Sequence, residues 1–234
     1  MNIEETSVDA AAPQERDQQR WYRVGSVAAV ALGIGYIVTI ILYARVGVPP
    51  SGGGEAWFKY LPGKTTIWWA ILSLSVFTDF LYLPIALALY IALKKINRNL
   101  MLMATAFIGM FVVLDLAVTW THYASILTLY RKYSAAMTDP ERAAYLAAAN
   151  YGPAVLVSRL EIVYSIVTLS FGILLTGCVM LTGRFDKVTA CLGVATGILG
   201  IASLTGSGLA IIGNALFAAA WLFSLGYRLR RLAA

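Results

Sequence analysis

Four charged side chains lie within long apolar runs of this sequence, where lipid would exclude them. They are Asp79 in SVFTDFLYLP, Asp115 in FVVLDLAVTW, and Arg159 and Glu161 in VSRLEIVYSI. A charged residue at the centre of a membrane helix costs about 2.5–3.5 kcal/mol on insertion scales, so such residues usually face the bundle interior and pair. With His122, these side chains predict a polar ligand or proton site inside a membrane protein.

Helical spacing places hydroxyl groups on the same faces as the three acids. Positions three and four apart lie on one side of an α-helix. Asp115 therefore shares a face with Thr119 and His122. By the same rule, Asp79 shares a face with Ser75 and Tyr82, and Glu161 shares a face with Ser158 and Ser165.

Arg159 and Glu161 are two positions apart, so they point in different directions and each needs a partner of its own. We predict that Arg159 pairs with Asp115 or Asp79. We expect Glu161 to find a hydroxyl, His122 or a proton.

The charges of this cluster do not balance. Three acids face one arginine and a histidine that is neutral in part of its titration range, so at least one carboxyl must hold a proton or be matched by a ligand cation. We predict that Asp79, near the middle of its helix, is protonated at neutral pH.

Three functions fit such a cluster. The first hypothesis is a hydrophilic cavity, open outward, that binds or passes a small polar or cationic ligand, or protons. The alternative is a structural or accessory subunit whose buried charges fix helix packing. A membrane-embedded enzyme acting on a lipid or a metal-bound substrate is the third; no catalytic residue is predicted.

Several cofactor chemistries are excluded by composition. One histidine cannot supply bis-histidine haem ligation or a multi-histidine zinc site. The sequence leaves open a mononuclear metal site formed by His122, Asp115 and Glu161, but we predict no metal and no cofactor. Cys178 and Cys191 lie in apolar runs and are expected to be buried free thiols.

The composition is that of a polytopic, all-α membrane protein. The chain has 234 residues, of which 59% are hydrophobic and 13% charged. Its net charge of +6 suits anionic lipid head groups, and no nucleic-acid partner is expected. Runs of about 20 apolar residues read as membrane helices. They predict a six-helix transmembrane domain over residues 21–231, with helices at about 21–43, 66–93, 100–122, 153–181, 188–204 and 209–227.

The segments outside these helices have their own predicted structure. Residues 1–20 are polar and predict a disordered cytoplasmic tail. In the loop between helices three and four, Thr138-Asp139-Pro140-Glu141 is typical of a helix start, so a short extra helix is expected there.

Basic residues give the orientation. With the amino terminus inside, the inner segments hold eleven lysines and arginines and the outer segments six, which predicts that both termini are cytoplasmic. We expect a multi-pass protein of a prokaryotic plasma membrane. Gly193 and Gly197 have the small-xxx-small spacing of close helix packing, and this face is a candidate for homo- or hetero-oligomers.

Two segments from helix two onward carry a family resemblance: LALYIALKKINRNLMLMATAFIGMFVVLDLA and VSRLEIVYSIVTLSFGILL. Through them the chain resembles a prokaryotic membrane family known as domain of unknown function 4386. It implies a six-helix bundle and supplies no activity.

Overall fold

The computed structural model describes residues 3–183, 185–206 and 208–234. Within these ranges the secondary structure is helical, without a β-strand. Six helical stretches are long and apolar enough to cross a membrane, which confirms the predicted class: Glu15–Val46, Thr65–Leu93, Arg98–Ala135, Arg159–Thr182, Lys187–Thr205 and Leu209–Leu232. We call them the first to the sixth span. Arg184, one of the residues in the basic-residue count, lies outside the described residues.

Eleven α-helices make up the described chain, and two spans contain a π-helical segment. The helices are α1 (Ile3–Val46), α2 (Gly54–Tyr60), α3 (Thr65–Leu93), α4 (Arg98–Leu114), α5 (Thr121–Ala135), α6 (Asp139–Ala148), α7 (Tyr151–Leu156), α8 (Arg159–Ile162), α9 (Thr168–Thr182), α10 (Lys187–Ala202) and α11 (Gly208–Leu232). The π-helical segments are π1 (Asp115–Trp120), which joins α4 to α5, and π2 (Val163–Val167), which joins α8 to α9.

The six spans pack as a closed ring in chain order. α1 packs on α3, α3 on α4, α4 on α9, α9 on α10 and α10 on α11, and α11 returns to α1. Many large apolar side chains on the outside of this ring are exposed, among them Val27, Ile41, Phe77 and Leu216. An apolar surface of this extent suits contact with lipid.

Three helix boundaries differ from those predicted. α1 begins at Ile3, so helical structure extends into the part of the chain predicted to be a disordered tail. The third span continues to Ala135 instead of ending at His122. The predicted fourth helix is broken at Val157, where Ser158 has an extended backbone and its side chain caps a new helix by accepting from the Glu161 backbone N–H.

Glycines set the close approach of α9 and α10. A Cβ atom on Gly197 would lie 2.8 Å from the backbone nitrogen of Leu174, and one on Gly177 would lie 2.7 Å from the backbone nitrogen of Val194. Gly193 and Gly197 are both buried within the chain. Within the chain, Gly197 lies against Leu174 of α9, and Gly193 lies against Gly177 of α9 and Trp221 of α11. The use of this face for oligomers stays a prediction. Cys178 and Cys191 are exposed on the bundle surface, so the prediction that both thiols are buried is wrong.

The long-loop end of the bundle, formed by α2, α6 and α7, is covered by short helices. α6 is the predicted extra helix, and it begins with a capping box in which Thr138 and Glu141 each bond the other's backbone N–H. Asn150 accepts from the Gly54 backbone N–H at 2.8 Å and so ties α2 to the start of α7.

Two apolar cores share the bundle, with a polar layer between them. The core at the long-loop end includes Trp57 and Trp68, and the larger core includes Leu89 and Trp221. On α3 the residues between the two cores are polar and buried: Ser75, Thr78 and Asp79. Because buried polar groups are costly without partners, this layer is where a polar site is to be sought.

Candidate functional site

A cavity of about 460 Å³ lies in the polar layer and is bounded by all six spans. Its walls carry two carboxyl groups, several hydroxyl groups and five aromatic rings. The lining residues are Tyr36, Thr39, Tyr43, Ser75, Thr78, Asp79, Phe111, Asp115, Thr119, Trp120, Tyr123, Ser165, Ile166, Leu169, Ser170, Ser203, Ile211 and Asn214. Cavities of this size hold small organic molecules.

Asp79 and Asp115 bring their carboxyl groups together on adjacent spans. Both are almost fully buried, with 6% and 5% of their surfaces exposed, and the two groups interact directly. The indole Nε1 of Trp120 donates to Asp79 Oδ2 at 2.6 Å. This contact connects the second span to π1 and orients the Asp79 carboxyl.

Asp115 has a free acceptor atom. Its Oδ1 is buried and has no hydrogen-bond partner within the described residues. The only other such atom in that part of the chain is Trp221 Nε1, which does not line the cavity. Since buried polar atoms are nearly always bonded, Asp115 Oδ1 requires a donor, which is either the adjacent Asp79 carboxyl in its protonated form or a ligand that enters the pair.

Glu161 is held by a hydroxyl of the third span. Thr119 Oγ1 donates to Glu161 Oε1 at 2.8 Å, so the expectation that Glu161 finds a hydroxyl is met. The neighbours that share its helix face bond its backbone: Ser158 Oγ accepts from the Glu161 N–H at 3.1 Å, and Ser165 Oγ donates to the Glu161 carbonyl at 3.1 Å. Glu161 thus fixes the break in the fourth span against π1.

The π-helical segment π1 decides which side chains face the cavity. A π turn holds an extra residue, and one residue of an α-helix corresponds to a rotation of about 100°. Positions after π1 are therefore rotated away from the face that α-helical spacing predicts. Tyr123 lines the cavity with Asp115, and His122 does not. His122 instead donates from Nδ1 to the Val118 carbonyl and lies beside the Tyr151 ring.

Arg159 does not reach the two aspartates. It is exposed on α8, and none of the ion pairs among the described side chains includes it. The predicted pairing of Arg159 with Asp115 or Asp79 is therefore wrong. Because Glu161, two positions later, points into the bundle, Arg159 points out of it.

Ser75 and Tyr82 lie on the same face of α3 as Asp79, as their spacing predicts. Ser75 lines the cavity. Tyr82 lies behind the wall, where its hydroxyl is 2.7 Å from the hydroxyl of Tyr36 and its ring meets Phe111 edge-on. Tyr82 therefore positions a lining residue instead of contributing to the surface itself.

The cavity has a carboxyl pair without a matching cation. None of its described lining residues is Lys, Arg or His. The nearest arrangement to a metal site, His122 with Asp115 and Glu161, is not assembled, since no three His, Cys, Asp or Glu side chains of the described chain are placed to hold an ion. Protons or a ligand must therefore balance any negative charge there.

Among the described side chains, one ion pair joins separate helices, and it lies outside the cavity. Asp186 Oδ2 is 3.1 Å from Arg228 Nη2, and the Asp186 side chain also caps α10 by accepting from the Thr189 backbone N–H. Burial of Asp186 opposes ionisation, but the Thr189 N–H and Arg228 outweigh it and lower the pKa of Asp186.

Sequence spacing missed most of the aromatic wall. Four aromatic residues line the cavity: Tyr36, Tyr43, Trp120 and Tyr123. None of them lies three or four positions from Asp79, Asp115 or Glu161 in the sequence, so the spacing rule does not select them. One sequence feature could have pointed to this wall, because Trp120 follows Thr119 directly in the segment that carries Asp115. Its contact with Asp79 depends on how two helices are rotated, which spacing within one helix does not give.

Comparison with known proteins gives no further guidance. No family model, no curated protein and no solved structure matches this chain. The resemblance to domain of unknown function 4386 therefore stays a prediction, and the function must be argued from the cavity.

Proposed function

We propose that this membrane protein binds or passes a small cation, or protons, at the carboxyl pair of Asp79 and Asp115 in its central cavity. The observation that carries the proposal is the pair itself: two adjacent buried carboxyl groups line one cavity, and no basic side chain lines it within the described residues. Two adjacent negative charges repel each other strongly in a medium of low dielectric constant. A proton or a bound cation relieves this repulsion, so protons and cations compete for the carboxyl pair.

The structural alternative makes a different use of the same residues. A pair that served only to fix helix register would be completed by basic groups inside the protein, since burying a lone charge is strongly destabilising. Here the long side chain available for this purpose, Arg159, is exposed. This arrangement favours exchange with protons or an external cation over a permanent internal ion pair.

The orientation belongs to the same proposal. With both termini in the cytoplasm of a prokaryotic cell, the carboxyl of Asp115 and the long-loop end lie toward the outside. A reporter enzyme fused after Ala234 is expected to be active on the cytoplasmic side. Activity of that reporter only outside would reverse the orientation without affecting the binding proposal.

The binding proposal is tested by infrared titration of the purified protein in lipid nanodiscs. A protonated-carboxyl band that changes with pH is expected from the pair, and Asp79→Asn and Asp115→Asn should each remove or shift it. The titratable groups that face the pair are Glu161, Tyr36, Tyr43, Tyr82 and Tyr123. Glu161→Gln separates the contribution of that third acid from that of the pair.

Asp139→Asn is the matched control, since it makes the same chemical change in the first turn of α6, away from the cavity. It should leave the band unchanged. Melting temperatures decide between the proposal and the structural alternative. If the pair is a site, both cavity variants stay folded and melt no lower than the parent at neutral pH. Loss of folding in both variants, with no titrating band in the parent, would support the packing role and refute the proposal.

A further inference from the structure

The cavity offers its free carboxylate acceptor beside aromatic and aliphatic walls. Asp115 lines the cavity, and its buried Oδ1 has no hydrogen-bond partner within the described residues. The rings of Trp120 and Tyr123 lie 5.6 Å apart at the same level of the third span, and both line the cavity. Ile166, Leu169 and Ile211 supply an apolar surface from the fourth and sixth spans.

The geometry points to a ligand class: we propose that the cavity binds a protonated alkylamine, whose ammonium N–H donates to Asp115 and whose alkyl group packs on the aromatic and aliphatic walls. This inference rests on the proposed function and specifies its ligand. It assigns the positive charge to the carboxyl pair and the apolar part to the aromatic and aliphatic lining residues. Trp120 has a second role, since an indole ring is the strongest cation–π partner among the aromatic side chains.

Cavity size argues for an organic cation over a bare metal ion. A volume of about 460 Å³ leaves a single inorganic ion far from most of its walls. Mg²⁺ and Ca²⁺ require about six or more oxygen ligands at short distance, and the described acids and histidine do not form a metal-binding group. An alkylamine fills the same space while presenting only one charged end.

The free acceptor argues for an ammonium that carries N–H groups. A quaternary ammonium can be attracted to the aromatic rings, but it cannot donate a hydrogen bond to Asp115 Oδ1. A protonated amine satisfies both requirements at once. Hydrogen bonds to a charged group contribute about 1.5–3 kcal/mol, which corresponds to about a 10- to 100-fold difference in affinity.

The test compares three probes of similar size on the full chain in lipid nanodiscs. tert-Butylammonium has the charge and the N–H donors, tetramethylammonium has the charge alone, and tert-butanol has a donor without the charge. We expect tert-butylammonium to raise the melting temperature and to bind at least about tenfold more tightly than either of the others. Equal binding of tetramethylammonium or tert-butanol would overturn the inference.

Proton release provides a readout that nonspecific partitioning into lipid does not share. When the ammonium joins the carboxyl pair it should displace a proton from that pair, and calorimetry in two buffers of different ionisation enthalpy measures this release. The titratable groups facing Asp115 are Asp79, Glu161, Tyr36, Tyr43, Tyr82 and Tyr123. Release of a proton on binding, lost in Asp115→Asn and kept in the Asp139→Asn control, is the expected result.

The two proposals fail separately. If the infrared band of the carboxyl pair titrates but tert-butylammonium does not bind, the amine inference is refuted and the proton site stands. If tert-butylammonium binds with unchanged affinity to Asp115→Asn, the inference is also refuted. Should Asp115→Asn not fold, the comparison of the three probes on the parent protein still decides the ligand class.

Discussion

Replacing Gly197 with alanine tests the close packing of α9 against α10. A Cβ atom at this position would lie 2.8 Å from the backbone nitrogen and Cα of Leu174 on α9. This is about 0.6 Å below the 3.4 Å at which ordinary contacts begin. The Leu174 Cβ would lie nearer still, at 2.6 Å. Because rotation of the Leu174 side chain moves none of these atoms, α9 and α10 must move apart.

The expected cost follows from two opposing effects. Overpacking of this kind costs about 1–3 kcal/mol. Alanine is better than glycine within a helix by about 0.5–1 kcal/mol, which offsets part of that cost. The net destabilisation is therefore up to about 2.5 kcal/mol, which lowers the melting temperature of a chain of this length by up to roughly 10 °C.

Gly109 on α4 provides the matched control, since a Cβ atom there would meet nothing within 4 Å. Gly109→Ala should raise the melting temperature slightly or leave it unchanged. Both variants are measured by thermal unfolding in the same detergent, with tryptophan fluorescence as the signal. If Gly197→Ala melts at or above the temperature of Gly109→Ala, the close approach of α9 and α10 is refuted.

Two further predictions concern polar contacts. Thr119→Val keeps the side-chain shape but removes the hydroxyl that donates to Glu161, so we expect a loss of about 1–3 kcal/mol in the free energy of unfolding. Glu161→Gln keeps an acceptor for that hydroxyl and should cost less. A denaturant titration in which Glu161→Gln is the more destabilised variant would contradict this. Burial of Asp186 opposes its ionisation, but the Thr189 N–H and Arg228 outweigh burial and lower the pKa of Asp186 below the ordinary aspartate value. The ionised Asp186 side chain therefore contributes its full stability above the ordinary aspartate pKa. This stability is lost as the pH falls through the lowered pKa. Asp186→Asn should therefore flatten the acid side of the melting-temperature profile, and a profile identical to the parent's would count against the contact with Arg228.

The membrane class and the spans could be predicted because they depend on local composition. Hydrophobic length fixes how many segments can cross a bilayer, and the second span, predicted at 66–93, is α3 at Thr65–Leu93. The capping residues Thr138 and Glu141 were sufficient to predict α6, because a capping box involves only neighbours in the chain. The inward direction of Asp79 and Asp115 also followed, since exposing a carboxyl to lipid is costly whatever the fold.

Only the tertiary structure decided which of these groups meet and which lining residues surround them. The contact of Trp120 with Asp79 depends on the relative rotation of two helices, and the extra residue of π1 rotates Tyr123 into the cavity in place of His122. The break at Val157 fixes Glu161 inward and leaves Arg159 outside. The physical reason is that spacing within one helix defines a face, whereas packing between helices and local departures from 3.6 residues per turn define where that face points.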